Sequence, residues 1–146
     1  MNTASLKKPI AAKYIFFYFT LLSFCIIQIN ANGQTNKWVV PEQASAVTNP
    51  LSGNTAVIKD AQVLYKTYCT PCHGNKGKGD GPAAASLNPK PADHTSALVQ
   101  SETDGSLFWR ISEGHPPMPP YKATFSETQR WELVNYIRTL AKPSNK

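Results

Sequence analysis

Cys69-Thr70-Pro71-Cys72-His73 is the stretch on which the fold turns. Two thiols at i and i+3 followed at once by an imidazole make C-x-x-C-H, the pattern by which a haem is attached covalently. The spacing serves that chemistry, because the two cysteines must reach two vinyl groups on one edge of the macrocycle while the next residue swings beneath the iron. Two other uses of a Cys-x-x-Cys pair fit less well. A thioredoxin-like dithiol opens a helix after a strand in a βαβ unit, and no convincing strand precedes Cys69. A structural zinc site needs four ligands in tetrahedral reach, and the remaining histidines, His94 and His115, are not paired at finger-like spacing.

Far along the chain, Glu113-Gly114-His115-Pro116-Pro117-Met118-Pro119-Pro120-Tyr121 places a methionine inside a proline-braced loop. Proline fixes φ, so the segment presenting Met118 is stiff and can hold a thioether against iron. Methionine commonly does no more than fill an apolar gap. Here, however, Met1 and Met118 are the two methionines of the chain, so removal of a leader leaves Met118 as the thioether on offer. His115, three residues earlier between the same prolines, is the competing distal ligand. Histidine plus methionine is the ligand pair that raises haem potential.

These residues resemble class I c-type cytochromes, and more closely the small bacterial monohaem domains similar to cytochrome c subunits of respiratory complexes. The resemblance runs from about Ala56 to Leu140. It rests on the order of several elements: the helix entering Cys69, the Gly-rich loop His73 to Pro82, Pro91-Ala92-Asp93-His94-Thr95, Asp104 to Ile111 before Gly114, the Met118 loop, and Arg130 to Arg138. It implies an all-α cytochrome c fold, three or more helices wrapped around one covalently bound haem c. It further implies attachment through Cys69 and Cys72, iron ligation by His73 and Met118, and a Pro82 carbonyl that accepts the other ring N–H of His73. Iron so ligated has six ligands and no open site, which implies an electron carrier rather than an enzyme. The alternative is a haem enzyme or gas sensor in which Met118 is displaced. The implied partners are redox proteins, foremost a membrane respiratory complex.

Two positions depart from the resembling pattern. Ala61 stands eight residues before Cys69, where such proteins usually place a glycine at the crossing of the first and last helices, so its methyl is expected to widen that crossing slightly. His94 occupies a place often held by a hydrophobic residue and reads as a solvated loop histidine.

Periodicity supports the all-α reading. Val57, Ala61, Leu64, Tyr65 and Tyr68 fall on one helical face that ends at Cys69. A second helix is expected from Asp104 to Glu113, with Leu107, Phe108 and Ile111 inward and Gly114 as its stop. A third begins after Ser126, where Ser126-x-x-Gln129 reads as a capping box. On it Trp131 and Tyr136 cannot share one narrow stripe, so part of that helix is expected to face the haem or a partner. A domain of this size has a marginal core of its own, and the haem disc supplies the missing apolar surface.

The chain has 146 residues. It opens with Lys7, Lys8 and Lys13 before an apolar stretch from Tyr14 to Ile29, then the small residues Ala31-Asn32-Gly33, the pattern of a cleaved export signal over residues 1–33. An uncleaved anchor is the alternative, though the stretch is short for a span. Cys25 sits in the apolar core of this signal, so cleavage leaves the two thiols that the haem consumes. Export to the periplasm, or the outer side of the inner membrane, fits that attachment chemistry, with membrane association available through the N-terminal segment or a partner. After cleavage twelve Lys and Arg face nine Asp and Glu, a charge of +3. Lys76 and Lys78 are sparse and no basic stripe interleaves with aromatics, so nucleic acid is not an expected partner. Residues 34–54 read as an irregular arm whose Trp38-Val39-Val40 suggests docking on a partner protein, 55–142 as the cytochrome domain, and 143–146 as a tail.

Overall fold

Prolines, glycines and capping residues punctuate the chain into short helices. In the computed structural model, which describes residues 38–141, these are α1 (Glu42–Ser45), α2 (Ile58–Tyr68), α3 (Thr70–His73), α4 (Ala97–Gln100), α5 (Asp104–Glu113) and α6 (Glu127–Thr139). A 3-10 turn spans Ala84–Ser86. Among the described residues there is no sheet, and a single bridge joins His115 to Met118. The segment 1–33 expected to be an export signal, residues 34–37 of the arm and the tail lie outside the described residues. No described helix is long and apolar enough to cross a membrane.

Of the three long helices, α5 and α6 start where a side chain satisfies their first free N–H groups, whereas α2 follows Val57 without a side-chain cap. The Thr103 hydroxyl accepts from Ser106 N at 3.1 Å at the head of α5. At α6 the Ser126 hydroxyl accepts from Gln129 N at 3.1 Å while the Gln129 carbonyl oxygen accepts from Ser126 N at 2.9 Å, so the capping box is complete. Gly114, at φ 63°, ends α5 in a conformation that a side chain would strain.

α2 lies across α6, and Ala61 and Tyr65 are fully buried between them. Tyr65 meets Tyr136 ring to ring at 5.0 Å. α6 is wrapped on almost every side, with Trp131, Leu133, Val134, Tyr136 and Ile137 all buried. That is why Trp131 and Tyr136 need no shared stripe. Trp131 stacks on Phe108 of α5 at 3.9 Å, with the Arg130 guanidinium on the other ring contact of Phe108 at 4.6 Å, whereas Tyr136 faces α2. The polar side chains Asn135 and Arg138 that join this core are paired. Asn135 donates to the Leu51 carbonyl at 2.6 Å and accepts from Asn49 at 2.8 Å. Arg138 forks onto Asp104 at 2.8 and 2.7 Å and also donates to the Gln100 and Glu102 carbonyls. The buried Trp131 indole N–H has no hydrogen-bond partner.

The arm from 38 to 54 returns onto its own domain. Thr103 Oγ1 donates to the Ser45 carbonyl at 2.7 Å and Asn49 donates to Asp104 at 2.8 Å, so α1 and the turn after it lie on the head of α5. Gly105 permits that approach, because a Cβ there would press into the carbonyls of Ala44, Ser45 and Val47.

Candidate haem site

α2 carries the chain to Cys69, and α3 follows at once, with Pro71 in its first turn where a missing N–H is harmless. The Cys72 and His73 amides both donate to the Cys69 carbonyl, at 3.2 and 2.8 Å. This tight turn is what brings two thiols and an imidazole to one place. Gly74, at φ 77°, then releases the chain; a Cβ there would run into the Asp80 side chain.

Cys69, Cys72 and His73 open onto a cavity of about 290 Å³. Leu107, Ile111, Leu133 and Ile137 line it from α5 and α6, and His115 and Met118 line it from the proline-braced loop. The sequence-predicted donors are thus gathered on one predominantly apolar space. Pro82 is not among them. It is exposed, because the amides on either side of it, Gly81 and Ala83, are tied to the Cys72 and Pro71 carbonyls at 3.1 and 2.9 Å. The ring Nδ1 of His73 instead meets the Ala92 carbonyl at 3.0 Å. The acceptor expected at Pro82 is therefore supplied by Ala92. Donation from Nδ1 fixes the tautomer and leaves the Nε2 lone pair free for a metal.

Burial sets the protonation of these groups. It pushes the Cys69 thiol up to about 12, with the neighbouring Cys72 adding to the shift, so the sulfur is held as a thiol. Cys69 and Cys72 are not joined to each other in a disulfide. Burial also lowers His73, against a smaller upward pull from the Ala92 carbonyl, and so favours the neutral, ligating imidazole.

His94 is not the solvated loop residue its position suggests. Its ring stacks on His73 at 4.0 Å and its Nδ1 lies 2.9 Å from the Tyr65 hydroxyl. Its backbone is clamped as well, N–H to the Gly77 carbonyl at 2.6 Å and carbonyl from Gln100 at 2.6 Å. Burial first, and then the nearby His73, press its pKa down to about 3. Lys78 is exposed and pairs with Asp93 at 3.4 Å.

The cavity and donor set fit one group. Residues 56–137 match the family described as "Cytochrome C oxidase, cbb3-type, subunit III". The chain belongs to this family. Its cytochrome c domain implies covalent haem c and electron transfer, and the thiols of Cys69 and Cys72 suit the attachment. No curated protein matches the chain. Among solved structures, a c-type cytochrome designated KustC0563 is 26% identical, with a TM-score of 0.50, over 56% of this chain and 98% of its own. A chain of the Kuenenia stuttgartiensis reducing HAO-like protein complex Kustc0457/Kustc0458 is 28% identical, with a TM-score of 0.57. That match covers 73% of this chain and 54% of the other, so this chain spans about half the length of that relative.

Sequence reasoning missed the Ala92 carbonyl and the Tyr65–His94 pair. It also missed Trp38, Glu102 and Arg110 as residues of the cavity wall. The signal the sequence offers for Trp38 is a large apolar residue in an irregular arm.

Proposed function

We propose that this chain is an exported monohaem cytochrome c that carries single electrons between protein redox partners, free or as a subunit of a membrane respiratory complex. The observation that carries the reading is the convergence of Cys69, Cys72 and His73 with Met118 on one apolar cavity. Cys69 and Cys72 would hold the haem covalently, and His73 and Met118 would supply the ligands to its iron. Haem c, when bound, supplies an iron that gains and loses one electron.

The remaining work belongs to the chain. The Ala92 carbonyl holds the Nδ1 proton of His73 and so orients the imidazole. The mutual hydrogen bonds between His115 and Met118, at 2.9 and 2.8 Å, stiffen the loop that presents the thioether. Leu107, Leu133 and Ile137 exclude water, and the resulting low dielectric disfavours the more highly charged oxidised state. A rigid cage on both sides keeps the two oxidation states alike in shape, which is what a carrier needs. Presence of a relative in a protein complex supports the complex-bound form, and the leader pattern over residues 1–33 supports export.

Carbon monoxide tests the reading against an open-site enzyme or sensor. The reduced, haem-loaded protein is expected not to bind it, since Met118 would hold the sixth position on the iron. Rapid binding by the wild type at neutral pH would overturn the carrier reading and favour a displaceable methionine.

A further inference from the structure

The distal loop offers the iron two ligands, and its geometry does not choose between them. His115 and Met118 exchange both backbone hydrogen bonds, N–H to carbonyl at 2.9 and 2.8 Å, as an antiparallel pair. Residues paired in this way project their side chains to the same side. Both side chains accordingly line the same cavity.

Trp38 makes the difference. Its ring lies 5.4 Å from the His115 ring, centroid to centroid, with the planes tilted by 33°. The tryptophan is itself held by Arg110, whose guanidinium lies over its ring at 4.7 Å and donates to its carbonyl at 3.0 Å. Arg110 is held in turn by Glu102 at 2.7 Å. The arm bearing Trp38 is pinned to α5 through Ser45 and Asn49, downstream of the ring. Trp38 also precedes residues 56–137, the segment matched by the family.

We propose that Trp38 is a ligand-selecting residue: by engaging the His115 ring it keeps that imidazole off the iron and leaves the distal position to Met118. This rests on the haem reading above and extends it. The arm is then part of the haem site, although it lies outside the matched segment. Without Trp38, the His115 nitrogen forms the bond to iron as the Met118 sulfur leaves, with no change in electron count or coordination number.

The test compares haem-loaded wild type, Trp38→Ala, His115→Ala and the double variant by optical spectrum and reduction potential. A methionine–iron bond gives the oxidised protein a weak long-wavelength band. That band is expected in the wild type and in His115→Ala. In Trp38→Ala it is expected to vanish while the potential falls, as two histidines replace the His/Met pair. It should return in the double variant, which a general loosening of the loop would not allow. Trp38→Leu, which keeps apolar cover but takes away the ring face, is expected to behave as Trp38→Ala and guards against a failure of the alanine variant to mature. Retention of the band and potential in both Trp38 variants, or absence of the band from the double variant, overturns the proposal. Absence of the band from the wild type would instead overturn the His73/Met118 reading itself.

Discussion

Gly105→Ala should destabilise this protein, although the same change in an open helix does the opposite. Alanine is favoured over glycine by about 1 kcal/mol in a helix interior. Gly105 is the second residue of α5, buried beneath the arm. A Cβ built there stands 2.7 Å from the Val47 carbonyl oxygen and 3.0 Å from that of Ser45, with the Ala44 oxygen closer still. These are backbone atoms, which cannot rotate out of the way singly. The arm must lift, at a cost of about 1–3 kcal/mol for overpacking. Lifting it also strains the Thr103–Ser45 and Asn49–Asp104 hydrogen bonds, each worth about 0.5–1.5 kcal/mol net. The balance is a loss of about 2 kcal/mol against a propensity gain of at most about 1 kcal/mol. Guanidinium unfolding of the haem-loaded protein, followed by far-UV circular dichroism, measures it. Limited proteolysis reports whether residues 38–54 have become accessible. A variant as stable as wild type, with its arm equally resistant, would refute the packing of the arm on α5.

Arg138→Leu removes a fork that binds Asp104 twice and two carbonyls besides, and leaves the half-buried Asp104 carboxylate without its main partner. It should cost about 2–4 kcal/mol, with Arg138→Lys recovering less than half because an ammonium cannot reproduce the planar fork; equilibrium unfolding decides. Tyr65 is raised above its ordinary value of 10.0, chiefly by burial, so the folded state keeps the phenol proton that the unfolded chain begins to lose near pH 10. Its contribution is whole below pH 10 and falls as pH rises above it, so the wild type should lose stability there. Tyr65→Phe should flatten that alkaline decline while costing about 1 kcal/mol at pH 7 for the lost contact with His94. An unchanged alkaline slope in the variant would count against the burial of this phenol.

Local punctuation explains which elements could be read from the chain. Gly114 and the Ser126–Gln129 pair act within one turn of the helices they bound, and α5 stops at the first while α6 begins at the second. The motif at Cys69 to His73 is likewise local, and α3 is one turn long. What escaped reading depends on distant partners. Every residue has a carbonyl, so nothing in Pro91-Ala92-Asp93 marks Ala92 as the acceptor for His73. His94 follows an aspartate in a loop and looks solvated; its burial requires the Tyr65 hydroxyl from α2, 29 residues earlier. Asn135 breaks the apolar pattern of α6, yet it is buried because Leu51 and Asn49 of the arm satisfy its amide. The arm itself has little regular structure to announce it, and its place is set by Arg110 and Thr103, side chains more than fifty residues away in sequence.

The account stands on His73 and Met118 as the two axial ligands of one covalently held haem. Its most direct test is the spectrum and reduction potential of haem-loaded wild type beside Met118→Ala. The account predicts a weak long-wavelength band in the oxidised wild type that disappears in the variant, together with a lower potential and new binding of carbon monoxide by the reduced variant. A variant with the same spectrum and potential as wild type would show that Met118 is not the distal ligand and would contradict the account.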